Sequence, residues 1–282
     1  MVPGEGILRR ASVTKIWCES LNYQFDLPER PERVICLVAA ATESIYAMGL
    51  GHRVVGVSRY CERYVPDLEK PIAGDYLTID EQCFAELDPD LVVITTGLQR
   101  KLGLELVKRG LPVYALPLPN SLYGILENIV TLGALLNEVK AGRGLSSHME
   151  TEAAAIRARN PRTRPRVYVE LWFGRHMRSI GGFTYIHDLV SLAGGEAIFS
   201  EKRQGYIIPD LEEIVARQPE VFLVFSEEEY PIDPRNLVDE RRWKDTLNLR
   251  IVESTVQRGK NLIQEGPSIL ETASWLQHQL HR

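Results

Sequence analysis

The sequence predicts an α/β fold in two related halves with parallel sheets, joined by a stiff connector. Three observations carry this. Apolar strand-like runs alternate with segments of helical spacing along most of the chain, the pattern of parallel strands with crossover helices. The stretches 33–60 and 184–224 share an order in which Thr42 and Thr184 open helices that stop at glycines, Gly49 and Gly51 in one, Gly194 and Gly195 in the other. FAELDPDLVVI (Phe84 to Ile94) and IVARQPEVFLV (Ile214 to Val224) then repeat helix end, Pro, acid and strand. Between the halves lies an Ala-rich, charged run from about 138 to 159 that stops at Asn160-Pro161. The expected division is therefore 1–137 for the first half, 138–160 for the connecting helix and 161–282 for the second half.

The elements follow in order. Residues 14–18 and 23–26 read as an opening β segment, and 34–38 as a strand. Thr42 is the expected N-cap of the next helix, with Ile45, Tyr46 and Leu50 on one face. Residues 54–58 form the next strand and 81–87 a short helix. Residues 91–96 are an unbroken apolar strand of the buried parallel type. Residues 102–108 are helical and 112–116 a strand. Leu122, Ile125, Leu126, Ile129, Leu132, Leu136 and Val139 keep helical spacing. The connector could span about 30 Å at 1.5 Å per residue, with Gly142 and Gly144 weakening its first turns. In the second half, strands are expected at 166–172, 221–225 and 249–253. Helices are expected at 184–192, 209–217 and 267–280, the last with Pro267 in its first turn.

Composition excludes several classes. A net charge of -5 disfavours nucleic-acid binding, which needs a basic face. No apolar stretch reaches the 18 residues or more of a membrane span. The opening MVPGEGILRRASVTKIWC lacks the apolar segment of a signal peptide, so a cytoplasmic protein is expected, or an extracytoplasmic one if an export signal has been removed. Cys18, Cys36, Cys61 and Cys83 have spacings that fit no zinc pattern. No GxSxG elbow, phosphate-binding loop or HExxH motif occurs, and Ser58 and Ser179 have no recognisable base partner, so no enzymatic role is expected. A monomer is expected.

Aromatic residues at strand ends are the informative chemistry. Tyr60 follows the strand ending at Ser58, and Tyr76 lies in a Gly74-Asp75-Tyr76 loop. Trp172 and Phe173 end the first strand of the second half, and Tyr206 precedes Pro209. Open α/β sheets bind ligands outside the carboxyl ends of their strands, and flat rings there suit a large ligand with an apolar face. Arg59 and Arg175 flank these places and could meet carboxylate, amide or phosphate groups. His176 is the best candidate for an axial ligand to a bound cobalt or iron.

RVICLVAAATESIYAMGLGHRVVGVSRYC resembles the opening of class III substrate-binding proteins of ABC importers, the family for vitamin B12, haem and iron-siderophores. ELDPDLVV, GLPVYALP, the GGxAIF segment at Gly194 to Phe199 and ARQPEVFLV follow in family order. The resemblance runs from about Ser12 over nearly the whole chain and is nearest to the vitamin B12-binding members. It implies two Rossmann-like lobes with mainly parallel sheets, joined by one long connecting helix, with the ligand cleft between the lobes. It further implies that Tyr60, Tyr76, Phe173 and Tyr206 line the cleft. Tyr stands at 76 and 206 where those members carry Trp. Glu43 and Glu212, one per lobe, match glutamates that meet arginines of an importer permease. The function implied is non-enzymatic binding of cobalamin or a related metal chelate as a small-molecule ligand, with no cofactor required. A ferric siderophore or haem is the alternative ligand. An enzyme of corrinoid or tetrapyrrole metabolism, or a purely regulatory partner protein, could use the same scaffold.

Overall fold

A computed structural model describes residues 12–282. The chain opens with the antiparallel hairpin of β1 (Val13–Cys18) and β2 (Tyr23–Pro28), which pairs Val13 with Pro28 and Cys18 with Tyr23. The first lobe then runs β3 (Val34–Cys36), α1 (Ala39–Ala47), β4 (Val54–Ser58), β5 (Ile72–Gly74), α2 (Glu81–Leu87), β6 (Leu91–Thr95), α3 (Arg100–Lys108) and β7 (Val113–Leu116). Its five strands are parallel in the order β5-β4-β3-β6-β7. The chain leaves β3 for one side of the sheet and later returns to the other. The topological switch therefore lies between β3 and β6, where such sheets open a crevice.

Two helices link the lobes, α4 (Leu122–Leu135) and the twenty-residue α5 (Val139–Ala158). The second lobe runs β8 (Arg166–Phe173), β9 (His176–Ile180), α6 (Tyr185–Leu192), β10 (Glu196–Ala197), β11 (Tyr206–Ile207), α7 (Leu211–Ala216), β12 (Val221–Ser226), α8 (Pro234–Glu240), β13 (Arg250–Ser254) and α9 (Ile269–Leu280). Its sheet has the order β11-β9-β8-β12-β13, with β10 beside β8; the β8-β12-β13 and β10 pairings are parallel, and β9 is antiparallel to both neighbours. The fold is the two-lobed α/β architecture with mainly parallel sheets and a long connecting helix.

Several elements differ from expectation for local reasons. Helix α1 begins at Ala39, with Val38 as its N-cap, because three alanines extend the helix back beyond Thr42. The Thr42 hydroxyl instead donates to the Val38 carbonyl at 3.1 Å inside the helix. Thr184 does cap α6, accepting from the His187 backbone N–H at 3.1 Å. The β8–β9 hairpin was not anticipated, since HMRSI has no apolar alternation; Gly174 turns it at φ 58°. Helix α8 also escaped notice; Asp233 caps it by accepting from the Arg235 N–H at 2.8 Å.

Apolar spacing runs unbroken from 122 to 139, yet the helix stops at Leu136–Asn137, where Asn137 takes φ 54°. Arg53, fully buried, caps the break by donating to the Leu136 carbonyl at 2.7 Å and to Glu138 at 2.6 Å. Gly142, which reads in sequence as a weak point, lets α5 touch α4: a Cβ there would lie 3.0 Å from the Ile129 carbonyl oxygen and 3.1 Å from Gly133 Cα. Helix α4 packs into both lobes. Its Leu132 and Leu135 join the core of the first, and Leu122, Ile125, Leu126 and Ile129 that of the second. The Leu122 N–H donates to Asp188 on α6 at 2.8 Å. The residues 1–11, on which the signal-peptide reading rests in part, lie outside the described residues.

Candidate functional site: the interlobe cleft

Two aromatic pairs, one from each lobe, define the site. In the first lobe the Tyr60 and Tyr76 rings stack at 5.0 Å and 25°. Tyr60 follows the carboxyl end of β4, and Tyr76 that of β5. The Asp75 carboxylate holds the Tyr76 turn by accepting the Leu77 and Thr78 N–H groups, both at 2.8 Å. Beneath Tyr60, the buried Cys61 thiol lies 3.2 Å from both the Ser58 and the Thr42 hydroxyls. In the second lobe Phe173, at the carboxyl end of β8, meets Tyr206 edge to face at 6.1 Å.

One ring of each pair, Tyr76 and Tyr206, lies within electrostatic reach of a residue that sequence reasoning missed, Glu265, in the loop before α9. Desolvation by burial pushes its carboxyl up to about 7, against the opposing hydrogen bonds of its own backbone and of the Tyr185 hydroxyl; no cation contributes. Tyr76 and Tyr64 of the first lobe and Tyr185 and Tyr206 of the second all feel this carboxyl. Burial is the main cause that pushes each of these phenols upward. Below them, a crevice of about 10 Å³ between Val38, Ala41, Ser44, Thr95, Ile129 and Glu265 leaves room for about one water molecule. Tyr76 and Tyr206 keep 38% and 37% of their surface exposed.

The lobes are joined around this point. Glu43 on α1 accepts hydrogen bonds from Gln264 Nε2 at 2.7 Å, the Ser268 N–H at 2.9 Å and the Ser268 hydroxyl at 3.2 Å. Asn261 donates to the Tyr64 hydroxyl. Arg63 pairs with Glu229 at 3.0 Å while its guanidinium lies 5.2 Å from the Tyr60 ring centre.

The other expected site residues divide. Trp172 does not share the cleft wall with Phe173. Successive residues of a strand face opposite sides, and the Trp172 indole donates to Glu170 at 2.8 Å on the far face of the sheet, packed against the core that holds Tyr168, Phe222 and Trp243. Arg59 is exposed, 4.0 Å from Asp75. Arg175 and His176 are exposed at the β8–β9 hairpin, where His176 pairs across from Phe173.

Glu43 is not a surface acid. It is 5% exposed, and its bonds lie inside the molecule between the lobes. It stands beyond the first turn of α1, so it does not serve the helix terminus either. Glu212 is exposed in the first turn of α7. Seven residues separate it from Pro219, and the same offset before Pro89 falls on Gln82 of α2, so the internal repeat places its first-lobe counterpart there rather than at Glu43.

Arg63 and Tyr64 lie in the same RYCERY run as Tyr60, and Tyr185 directly follows the Thr184 cap, so a search around those signals could have found them. Glu265 sits in a loop with no periodicity or motif to mark it. Among the described residues there is no group of three or more His, Cys, Asp or Glu placed to hold a metal ion, and no helix is long and apolar enough to cross a membrane.

The protein is thus a two-lobed α/β fold with an aromatic pair in each lobe. Residues 34–247 match the family described as periplasmic binding protein, and the chain belongs to that family. It is 28% identical over 211 residues to the cobalamin-binding protein of Halobacterium salinarum, a match that covers 72% of this chain and 56% of that protein. In structure it is similar to the periplasmic haem-binding protein RhuT from Roseiflexus sp. RS-1, with TM-score 0.71, 23% identity, and 89% and 99% of the two chains covered. It is also similar to the periplasmic vitamin B12 binding protein BtuF of Vibrio cholerae, with TM-score 0.67, 22% identity, and 89% and 98% covered. At such identities the structural likeness speaks for the fold. The family is one of periplasmic binding proteins, which fits the extracytoplasmic alternative.

Proposed function

We propose that this protein binds a corrinoid, cobalamin or a close relative, in the cleft between its lobes and delivers it outside the cytoplasm to an ABC importer. What supports this is an aromatic pair in each lobe, Tyr60–Tyr76 and Phe173–Tyr206, which on this reading line the cleft from opposite sides. Such walls suit the apolar face and edge of a large macrocycle. Glu265 adds an acceptor for the amide N–H groups that fringe a corrinoid. The similarity to a cobalamin-binding protein supports the same ligand. The role is binding without turnover, and no cofactor beyond the ligand is needed. Arg59, Arg175 and His176 stand at the rim, where they would meet the ligand's periphery. Glu212 is the proposed contact to the permease.

Calorimetric titration with cyanocobalamin, followed by an absorption spectrum of the complex, tests this. One-to-one binding at micromolar Kd or tighter is expected. Heat with haem or a ferric siderophore, but none with cyanocobalamin or cobinamide, would keep the cleft and replace the ligand.

A further inference from the structure

Glu43 lies at the centre of the interlobe contact, and its carboxylate is fully engaged by the loop that precedes α9. Gln264 Nε2 donates to it at 2.7 Å, the Ser268 N–H at 2.9 Å and the Ser268 hydroxyl at 3.2 Å. Between these two residues the backbone of Gly266 passes so close that a Cβ there would run into Glu43 Oε2. The same loop is tied once more, by the Asn261 side chain to the Tyr64 hydroxyl of the first lobe. Three residues of the loop are thus fastened across the lobe boundary. Glu265 stands between two that contact Glu43, Gln264 on one side and Gly266 on the other. A loop so held has little freedom to turn the Glu265 carboxyl away from the tyrosines around it.

We propose that Glu43 is a positioning residue for ligand binding: it fastens the 261–268 loop of the second lobe to α1 of the first and thereby aims Glu265 into the cleft, where that carboxyl recognises a hydrogen-bond-donating group of the ligand. The ligand's identity rests on the corrinoid reading above, in which the donor is a side-chain amide; the fastening itself rests on the contacts. The groups that face Glu265 are Tyr64 and Tyr76 from the first lobe and Tyr185 and Tyr206 from the second, and Arg258 acts on Glu43 from the far side. All four phenols are pushed upward, away from neutral pH, and burial raises both carboxyls, that of Glu265 to about 7.

A double-mutant cycle decides it. Affinity for cyanocobalamin is measured by calorimetry in wild type, Glu43→Ala, Glu265→Ala and the double variant, with thermal unfolding as a check on folding. Glu43→Ala is expected to weaken binding tenfold or more in the wild-type background and less than threefold once Glu265 is gone, because nothing is left to aim. Equal losses in both backgrounds would assign Glu43 a merely structural role and overturn the proposal. Should Glu43→Ala fail to fold, Gln264→Met removes one tie at nearly constant volume and is run through the same cycle. A second readout needs no ligand. The Glu265 carboxyl is followed by carbon-13 NMR through a pH titration and assigned by its loss in Glu265→Gln. Its midpoint, about 7 in wild type, is expected to fall towards the ordinary glutamate value when Gln264→Met frees the loop into water, and an unchanged midpoint overturns the proposal. If wild type does not bind cyanocobalamin, the corrinoid reading fails on its own and the NMR titration still decides the role of Glu43.

Discussion

Glu265→Gln should flatten part of this protein's dependence of stability on pH. Folding moves the carboxyl from water into the cleft floor, where desolvation disfavours its charged form, so the folded state keeps the proton to about pH 7. The unfolded chain releases it near 4.5, the ordinary value. Between those two values the folded state holds more protons than the unfolded, and stability falls as pH rises. The difference is worth about 3 kcal/mol at pH 8, a ceiling because the cleft admits some water. Glutamine has nearly the same shape and does not titrate. The variant should match wild type at pH 4.5 and exceed it by up to about 3 kcal/mol at pH 8. Urea unfolding followed by circular dichroism at pH 4.5, 6, 7 and 8 measures this. Parallel profiles for wild type and Glu265→Gln would refute the placement of a desolvated carboxyl at the cleft floor.

Four further outcomes are expected. Glu170→Gln should cost about 3–5 kcal/mol in urea unfolding, because the buried Glu170 carboxylate takes Arg241 through two bonds at 2.7 and 3.0 Å and also the Tyr168 and Trp172 donors, and its loss strands the guanidinium. Gly142→Val should lower stability by about 2 kcal/mol, since its side chain must enter the contact between α4 and α5; thermal unfolding at or above wild type would contradict that packing. Tyr206→Ala should weaken cyanocobalamin binding about tenfold by removing one half of the Phe173–Tyr206 wall. His176→Ala, measured beside it, should alter the absorption spectrum of the complex only if the imidazole reaches the metal.

Much of the fold was legible because its signals are local. Strands such as Val54–Ser58 and the helix Glu81–Leu87 announce themselves by period and by flanking breakers, and the repeated helix–Pro–strand order exposed the two lobes. Some failures were local too, as when three alanines carried α1 back past Thr42, whereas the end of α4 is capped from far along the chain by Arg53. The strand ends beside Tyr60 and Phe173 were also legible, since strand ends can be located from pattern.

By itself, then, the sequence determined the order and type of most elements and the two-lobed class, because each of these depends on residues near one another in the chain. Only the tertiary structure decided that Phe173 meets Tyr206 while its neighbour Trp172 turns to Glu170 on the other face, since that turns on the pleat of β8 within its sheet. It also decided that α4 belongs to both lobes and that Glu43 is an interior fastening rather than a docking acid. The Glu43 contacts join residues 221 and 225 positions apart. What a carboxyl does at such a junction is set by the water it loses and the donors it meets there, and neither is written in the residues beside it.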